Sequence, residues 1–293
     1  MKILSAVINN PLFIEIQFHT FKKYMKCDYE FIVFNDAKPF PDFSNGFDEN
    51  IHIEIKNKCK ELGIQCISIP NEHHKTMNCP VKRCSDAINF MYQYMLKNDD
   101  EYLIIDSDMF LIDYYYPEKY KDYDCAIVLQ NKEHLNINYI WNGLFYFNTY
   151  KMKNFEKMNW NQDFTSDVGG IINSVGMTDA GGMTYMWLND KCKDLPDVYN
   201  IRVSEKNVFN KDGIYFIKHL WSLTWNDSEM PEQIKNTDLE KFIKNDPRNK
   251  NGRYFCEIYD DIFLHYRAGG DWQGFGLEFH NYLSKLLKKS ILG

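Results

Sequence analysis

The stretch Glu101-Tyr102-Leu103-Ile104-Ile105-Asp106-Ser107-Asp108-Met109-Phe110-Leu111-Ile112 decides how this chain reads. Four apolar or aromatic residues run into two carboxylates, and apolar residues resume at once. So short a run, with β-branched members, predicts a buried parallel strand rather than a helix. Ionised carboxylates are costly to bury without a partner, which puts Asp106 and Asp108 at or just past the strand's carboxyl end. In an open α/β sheet, ligands bind at that edge. Two positions apart, the carboxylates fall on one face of an ideal strand and can share a divalent cation. Hard oxygen ligands suit Mg²⁺ or Mn²⁺. Asp-x-Asp alone is a common solvated turn; the apolar strand ahead of it gives it meaning.

Upstream, strands and helices alternate. Ile3 to Ile8 reads as a first strand, and Asn10 and Pro11 as the cap and first residue of a helix reaching about Met25. Glu30 to Asp36 is a second strand. Glu49 to Leu62 is helical and stopped by Gly63, Ile64 to Pro70 is a third strand, and apolar spacing from Pro80 to Leu96 predicts another helix. This is the pattern of a parallel α/β sheet. His73-His74 reads as a solvated loop, since adjacent residues seldom share a metal.

The second half is less regular. Asp124 to Gln130 is a strand, and Tyr139 to Asn148 is another, or a hairpin turning at Asn142-Gly143. Residues 159–182 read as loop, and Asp179 as the cap of a helix over 180–188. Two late strands, Ile214 to His219 and Ile262 to His265, each end in histidine. Asp227 to Arg253 is charged and turn-rich, and Leu277 to Lys289 forms an amphipathic helix expected to pack on the domain.

The bulk properties narrow the class. An apolar fraction of 44% and a charged fraction of 26% over 293 residues describe an ordinary globular protein. A net charge of −7 without a basic block argues against nucleic acid as partner. Eight scattered cysteines lack zinc-site spacing and read as reduced thiols. No transmembrane run and no signal peptide is expected, with a cytoplasmic location as the default. No linker divides the chain, so one domain over 1–293 is expected, with a nucleotide-sugar-binding half at 1–112 and an acceptor-binding and lid half at 113–293.

In order, these motifs are an α/β half ending in Asp106-Ser107-Asp108, an aromatic strand with Asn142-Gly143, a Gly-flanked Asp179 and a late His265. That order resembles the GT-A-fold glycosyltransferases, most nearly the glycogenin-like family 8 type, over nearly the whole chain. The resemblance implies a GT-A-like, Rossmann-type, mainly parallel sheet flanked by helices, with an irregular C-terminal half. It also implies transfer of a sugar, with Mn²⁺ or Mg²⁺, from a UDP-sugar or similar nucleotide-sugar donor to a glycan or glycoconjugate acceptor. Asp106, Asp108 and His265 match the family's metal ligands, with His219 in a similar setting. The family's late histidine stands in a longer stretch with Lys-Pro-Trp. This chain reads His265-Tyr266-Arg267-Ala268-Gly269-Gly270-Asp271-Trp272, without Lys-Pro, so Arg267 is the nearest cation for the diphosphate.

Donor contacts are further expected from Asp36, Arg83 (or Lys82), Ser107, Gly269 and Gly270. Asp179 is the candidate base on the acceptor side, and Asp167 competes with it. Trp141, Asn142 and Trp272 are acceptor-side candidates; Trp141, Trp187 and Trp272 can stack on sugars or pack in the core. The chemistry asks for such parts, because diphosphate charge grows as the glycosidic bond breaks and an attacking hydroxyl needs a base if the reaction inverts. Two rivals remain. A haloacid-type phosphatase places Thr or Val where Phe110 stands, near its N-terminus. A non-catalytic nucleotide- or carbohydrate-binding module would keep the fold without the reaction.

Overall fold

The structure is a computed structural model that describes residues 1–77, 79–132, 136–162, 178–203, 209–271 and 273–293. In chain order the first elements are β1 (Lys2–Val7), α1 (Pro11–Tyr24), β2 (Glu30–Asn35), α2 (Ile51–Leu62), β3 (Gln65–Ser68), α3 (Pro80–Met95), β4 (Glu101–Ile105) and β5 (Met109–Leu111). Then come α4 (Glu118–Lys121), β6 (Cys125–Lys132), β7 (Ile137–Asn148), α5 (Tyr185–Lys191), α6 (Val198–Val203), β8 (Phe209–Lys211), β9 (Ile214–Phe216) and β10 (His219–Leu220). The last are α7 (Asp238–Lys244), β11 (Glu257–Tyr259), β12 (Phe263–His265) and α8 (Leu277–Leu292).

The fold is mixed α/β, and the chain divides into two compact units. One holds Met1–Leu4, His73–Ile105 and Tyr120–Ile217; the other holds Ser5–Glu72, Asp106–Lys119 and Lys218–Gly293.

In the first unit the strand order is β1-β4-β7-β6-β9-β8. Strands β1 and β4 run parallel, Lys2 opposite Tyr102 and Leu4 opposite Ile104. Beyond β4 the sheet turns antiparallel at β7, and only β6 and β9 pair in parallel. Residues 137–148 form one unbroken strand, so the turn expected at Asn142-Gly143 is absent. The glycine serves space instead. Trp141 lies two residues away on the same face, and a Cβ at position 143 would come within 2.1 Å of its ring. Phe145 stacks on Trp160 with ring centroids 4.6 Å apart, and the Tyr92 hydroxyl donates to the Phe155 carbonyl at 2.6 Å.

The second unit opens with α1. The Asn10 side chain accepts from the Leu12 N–H at 3.1 Å, Pro11 takes the first helical position, and Phe13, Ile16, Gln17 and Phe21 are buried. Strands β2 and β3 are parallel, as the alternation predicts. A four-stranded antiparallel sheet of order β10-β11-β12-β5 follows. The reading of Ile214 to His219 as one strand therefore needs correction: β9 stops at Phe216 and His219 begins β10 in this other sheet. Helix α7 lies inside the segment read as turns. It is only seven residues long, capped by Thr237, and its buried stripe of Leu239, Phe242 and Ile243 is short enough to be lost among charges. It joins a core with Phe13, Phe110, Trp225, Leu264, Tyr266, Leu283 and Leu287. Lys288 of α8 pairs with Glu15 of α1 at 2.7 Å, so the basic end of α8 packs on its own unit.

None of the eight cysteines is in a disulfide, and Cys59, Cys125, Cys192 and Cys256 are buried. Among the described residues no helix is long and apolar enough to cross a membrane.

Candidate functional site

Asp106 and Asp108 lie just past the carboxyl end of β4, as the sequence predicts, though in a turn and not on a strand. Asp106-Ser107-Asp108 is a turn closed by the Met109 N–H donating to the Asp106 carbonyl at 3.1 Å. The ideal-strand reading fails because β4 ends at Ile105 and β5 begins at Met109 in a different sheet. The turn is fixed from beneath by buried Gln17, whose Nε2 donates to the carbonyls of Asp106 and Met109 at 2.9 and 3.1 Å. The Ser107 N–H donates to Asp106 Oδ1 at 3.0 Å. Asp108 is thereby buried while the Asp106 side chain keeps 39% of its exposure.

Strand register brings in the histidine. In the β5–β12 pair Met109 faces His265, and in the β11–β12 pair Glu257 faces His265. His265 Nε2 lies 3.1 Å from Asp108 Oδ1 and 3.8 Å from Asp106 Oδ2. Its Nδ1 lies 2.8 Å from Glu257 Oε2. Asp106, Asp108 and His265 thus offer three ligand atoms within 4.8 Å of one another. His219, the alternative, is buried on β10 with its ring 4.4 Å from that of Trp221 and is not part of this cluster.

Glu257 gives no sequence signal, because it sits in a short strand without a motif, yet it organises the site. Its Oε2 accepts from the Tyr259 hydroxyl at 2.8 Å, and its Oε1 accepts from the Ser222 N–H at 3.1 Å. Arg267 Nε lies 3.2 Å from Oε1. Burial works against ionisation of Glu257, but His265, Arg267 and the Tyr259 hydroxyl outweigh it and hold the carboxyl below its usual range. Burial likewise opposes charge on Asp108, and His265 with the Gly269 N–H lowers its pKa nonetheless. For His265 burial favours the neutral ring, but Asp108 and Glu257 win and push it up to about 10.

The segment after His265 is bent by backbone rather than by glycine. Arg267 and Ala268 both adopt left-handed conformations, at φ 64° and 59°. Arg248 holds them there. Its guanidinium donates to the carbonyls of Tyr266 and Arg267 at 3.1 and 2.8 Å, grips Asp246, and lies 3.9 Å over the Tyr266 ring. The bend delivers the Gly269 N–H to Asp108 Oδ2 at 2.7 Å. A Cβ on Gly269 would come within 2.6 Å of the Phe13 ring and 2.9 Å of Asp108, so only glycine fits this approach. At Gly270 the space is ordinary.

The donor set suits a hard or borderline divalent cation: two carboxylate oxygens and one imidazole nitrogen held by a third carboxylate, Glu257, with the partly exposed Asp106 open to a cation and to further oxygen ligands.

No family model matches the chain, and no curated protein matches it. Among solved structures it is similar to the galactosyltransferase LgtC in complex with donor and acceptor sugar analogs, at 13% identity and TM-score 0.37, over 54% of this chain and 62% of that one. An active-site mutant of LgtC aligns at the same identity and TM-score over 61% of its length. The bifunctional glycosyltransferase WbbM, in its apo structure, aligns at 12% identity and TM-score 0.33, over 51% of this chain and 31% of that one. The chain spans less than two thirds of the length of each. The site is therefore read from its own geometry.

Other residues singled out in the sequence have the following places. Asp36 is buried, with its carboxylate 2.9 Å from Lys38 Nζ and 3.0 Å from Asn71 Nδ2. Arg83 is buried on α3 and donates to the carbonyls of His74 and Met77 at 2.7 and 2.8 Å; Lys82 is exposed. Asp179 does not cap a helix. Its Oδ1 accepts from the next N–H, of Ala180, at 3.0 Å, and a 3₁₀ turn at Gly182–Thr184 precedes α5. Trp141 and Trp187 are buried, and Asn142 Nδ2 donates to Cys84 Sγ at 3.3 Å. Asp167 and Trp272 lie outside the described residues. His74 is fully buried, against the solvated-loop reading, while His73 is exposed as that reading expects, and the Nε2 of each approaches Asp86.

Proposed function

We propose that this chain is a metal-dependent glycosyltransferase of hexosyl type, moving a sugar from a nucleoside-diphosphate donor, a UDP-sugar first, to a hydroxyl of a glycan or glycoconjugate. The observation that carries the reading is the convergence of Asp106, Asp108 and His265 within 4.8 Å. Mn²⁺ or Mg²⁺ held there would offset the charge that grows on a departing diphosphate. Arg267 is the side chain that reaches the diphosphate, and Glu257 keeps it aimed while orienting His265. Gly269, Gly270, Ser107, Asp36 and Arg83 are the further candidates for donor contacts. For the acceptor the reading keeps Asp179, or Asp167, as base, and Trp141, Asn142 and Trp272 as candidate contacts.

The test is a thermal-shift panel of UDP, GDP and CMP with and without Mn²⁺. Millimolar nucleotide at a micromolar site stabilises by about 4 kcal/mol. The expected result is Mn²⁺-dependent stabilisation by a nucleoside diphosphate that disappears in Asp106→Asn. Asp106 is the cleaner position for this variant because its side chain is 39% exposed, whereas Asp108 is bonded into the fold. Stabilisation by free phosphate above every nucleotide would replace the transferase reading with a phosphatase.

A further inference from the structure

A second cluster of metal-binding groups lies in the other unit and has no part in the reading above. His73 and His74 are neighbours in the 3₁₀ turn Glu72–Thr76, and Asp86 stands on α3. Both imidazole Nε2 atoms approach the same oxygen, Asp86 Oδ2, at 3.0 and 2.8 Å. The three ligand atoms lie within 4.8 Å of one another.

We propose that His73, His74 and Asp86 form a binding site for a borderline divalent transition metal, Zn²⁺ foremost. Imidazole nitrogens favour Zn²⁺, Ni²⁺ and Cu²⁺, whereas a carboxylate-dominated set favours Mg²⁺ and Mn²⁺. Zinc holds nitrogen and oxygen ligands at about 2.0–2.1 Å in a tetrahedron, which sets neighbouring ligands roughly 3.3 Å apart. The separations from Asp86 need to widen by only a few tenths of an ångström to admit the ion.

The turn is braced for the purpose. Arg83, one helical turn before Asp86, donates to the carbonyls of His74 and Met77 and so ties the histidine segment to the helix that carries the carboxylate. His74 is buried, while the side chains of His73 and Asp86 keep 52% and 38% of their exposure. One rigid ligand and two open ones leave a fourth position for water or for a group from another molecule. The usual obstacle to adjacent histidines sharing a metal is divergence of their rings. Here the rings meet edge to face with centroids 4.5 Å apart, and both tips converge.

Apart from Arg83, which the transferase reading also names, the proposal is independent of that reading. Its test is Zn²⁺ titration calorimetry on the full chain carrying Asp106→Asn, which weakens the other cluster, repeated with His73→Ala and separately with Asp86→Asn added. One Zn²⁺ equivalent is expected in the parent, with affinity reduced by about tenfold or more in each double variant. His73 is half-exposed, so its loss leaves the fold intact, and circular dichroism verifies this. Co²⁺ absorption distinguishes the eight thiols as a competing source. A nitrogen- and oxygen-ligated spectrum that His73→Ala abolishes supports the site. Unchanged Zn²⁺ affinity in His73→Ala, or a thiolate charge-transfer band that persists in it, overturns the site.

Discussion

Glu257→Gln isolates what the third carboxylate does for the proposed metal ligand set. The substitution keeps size but leaves one acceptor oxygen, so the Ser222 N–H can still donate to position 257 while the new amide N–H faces the Tyr259 hydroxyl, which can turn to accept from it. What it removes is charge. One of the two carboxylates that push His265 up to about 10 becomes neutral, and the imidazole is expected to titrate lower. Arg267 loses its ion pair at 3.2 Å and is freer to turn away. A ring that titrates lower gives up its proton to a metal more readily, so the expected weakening comes from lost orientation, and removing such a partner typically costs about 10–100-fold in metal affinity, or about 1.4–2.8 kcal/mol. Calorimetric titration of Mn²⁺ into both proteins at one fixed pH measures this directly, and urea unfolding shows whether the fold survives. A wild-type protein that binds Mn²⁺ alongside a well-folded variant binding it within twofold would refute the role given to Glu257.

Three further outcomes follow from the same geometry. Gly269→Ala should lower unfolding stability in urea by roughly 1–3 kcal/mol, because its new methyl group meets Phe13 and Asp108 below 3.0 Å; an unchanged midpoint would mean the bend has slack. Arg248→Ala breaks a fully buried pair with Asp246 and should cost about 3–5 kcal/mol in the same experiment. Once a donor and acceptor are known, Asp179→Asn should lower turnover by about 10²–10⁴ with donor affinity little changed; a loss explained by donor binding alone would remove Asp179 from the acceptor side.

The regular half of the fold was legible because its signals are local. Asn10-Pro11 and Gly63 mark helix ends by their own chemistry, and the apolar runs of β1, β2 and β4 lead into polar edges. The Asp106, Asp108 and His265 cluster was legible through motif order rather than through periodicity. Glu257 and Arg248 were not, because their roles arise from strand register and from a bend that only the folded chain makes. Asn142-Gly143 misled for a physical reason: a turn dipeptide was serving the bulk of Trp141. At His73-His74 the solvated reading holds for exposed His73 and fails for His74, which is buried with its Nε2 on Asp86, twelve residues away.

The hydrogen bond between Asp108 and His265 closes a span of 157 residues. The entropy of closing so long a loop grows logarithmically and comes to about 4.5 kcal/mol before any constant contribution. On the ribosome, β5 therefore emerges long before β12, and until then it has neither its partner strand nor a counter-charge for Asp108. During synthesis that strand edge is open to pairing with other chains, and the cation binding proposed for this cluster can begin only after residue 265 has left the exit tunnel. Divalent cation in the medium should consequently raise the yield of refolding from denaturant without speeding its earliest phase.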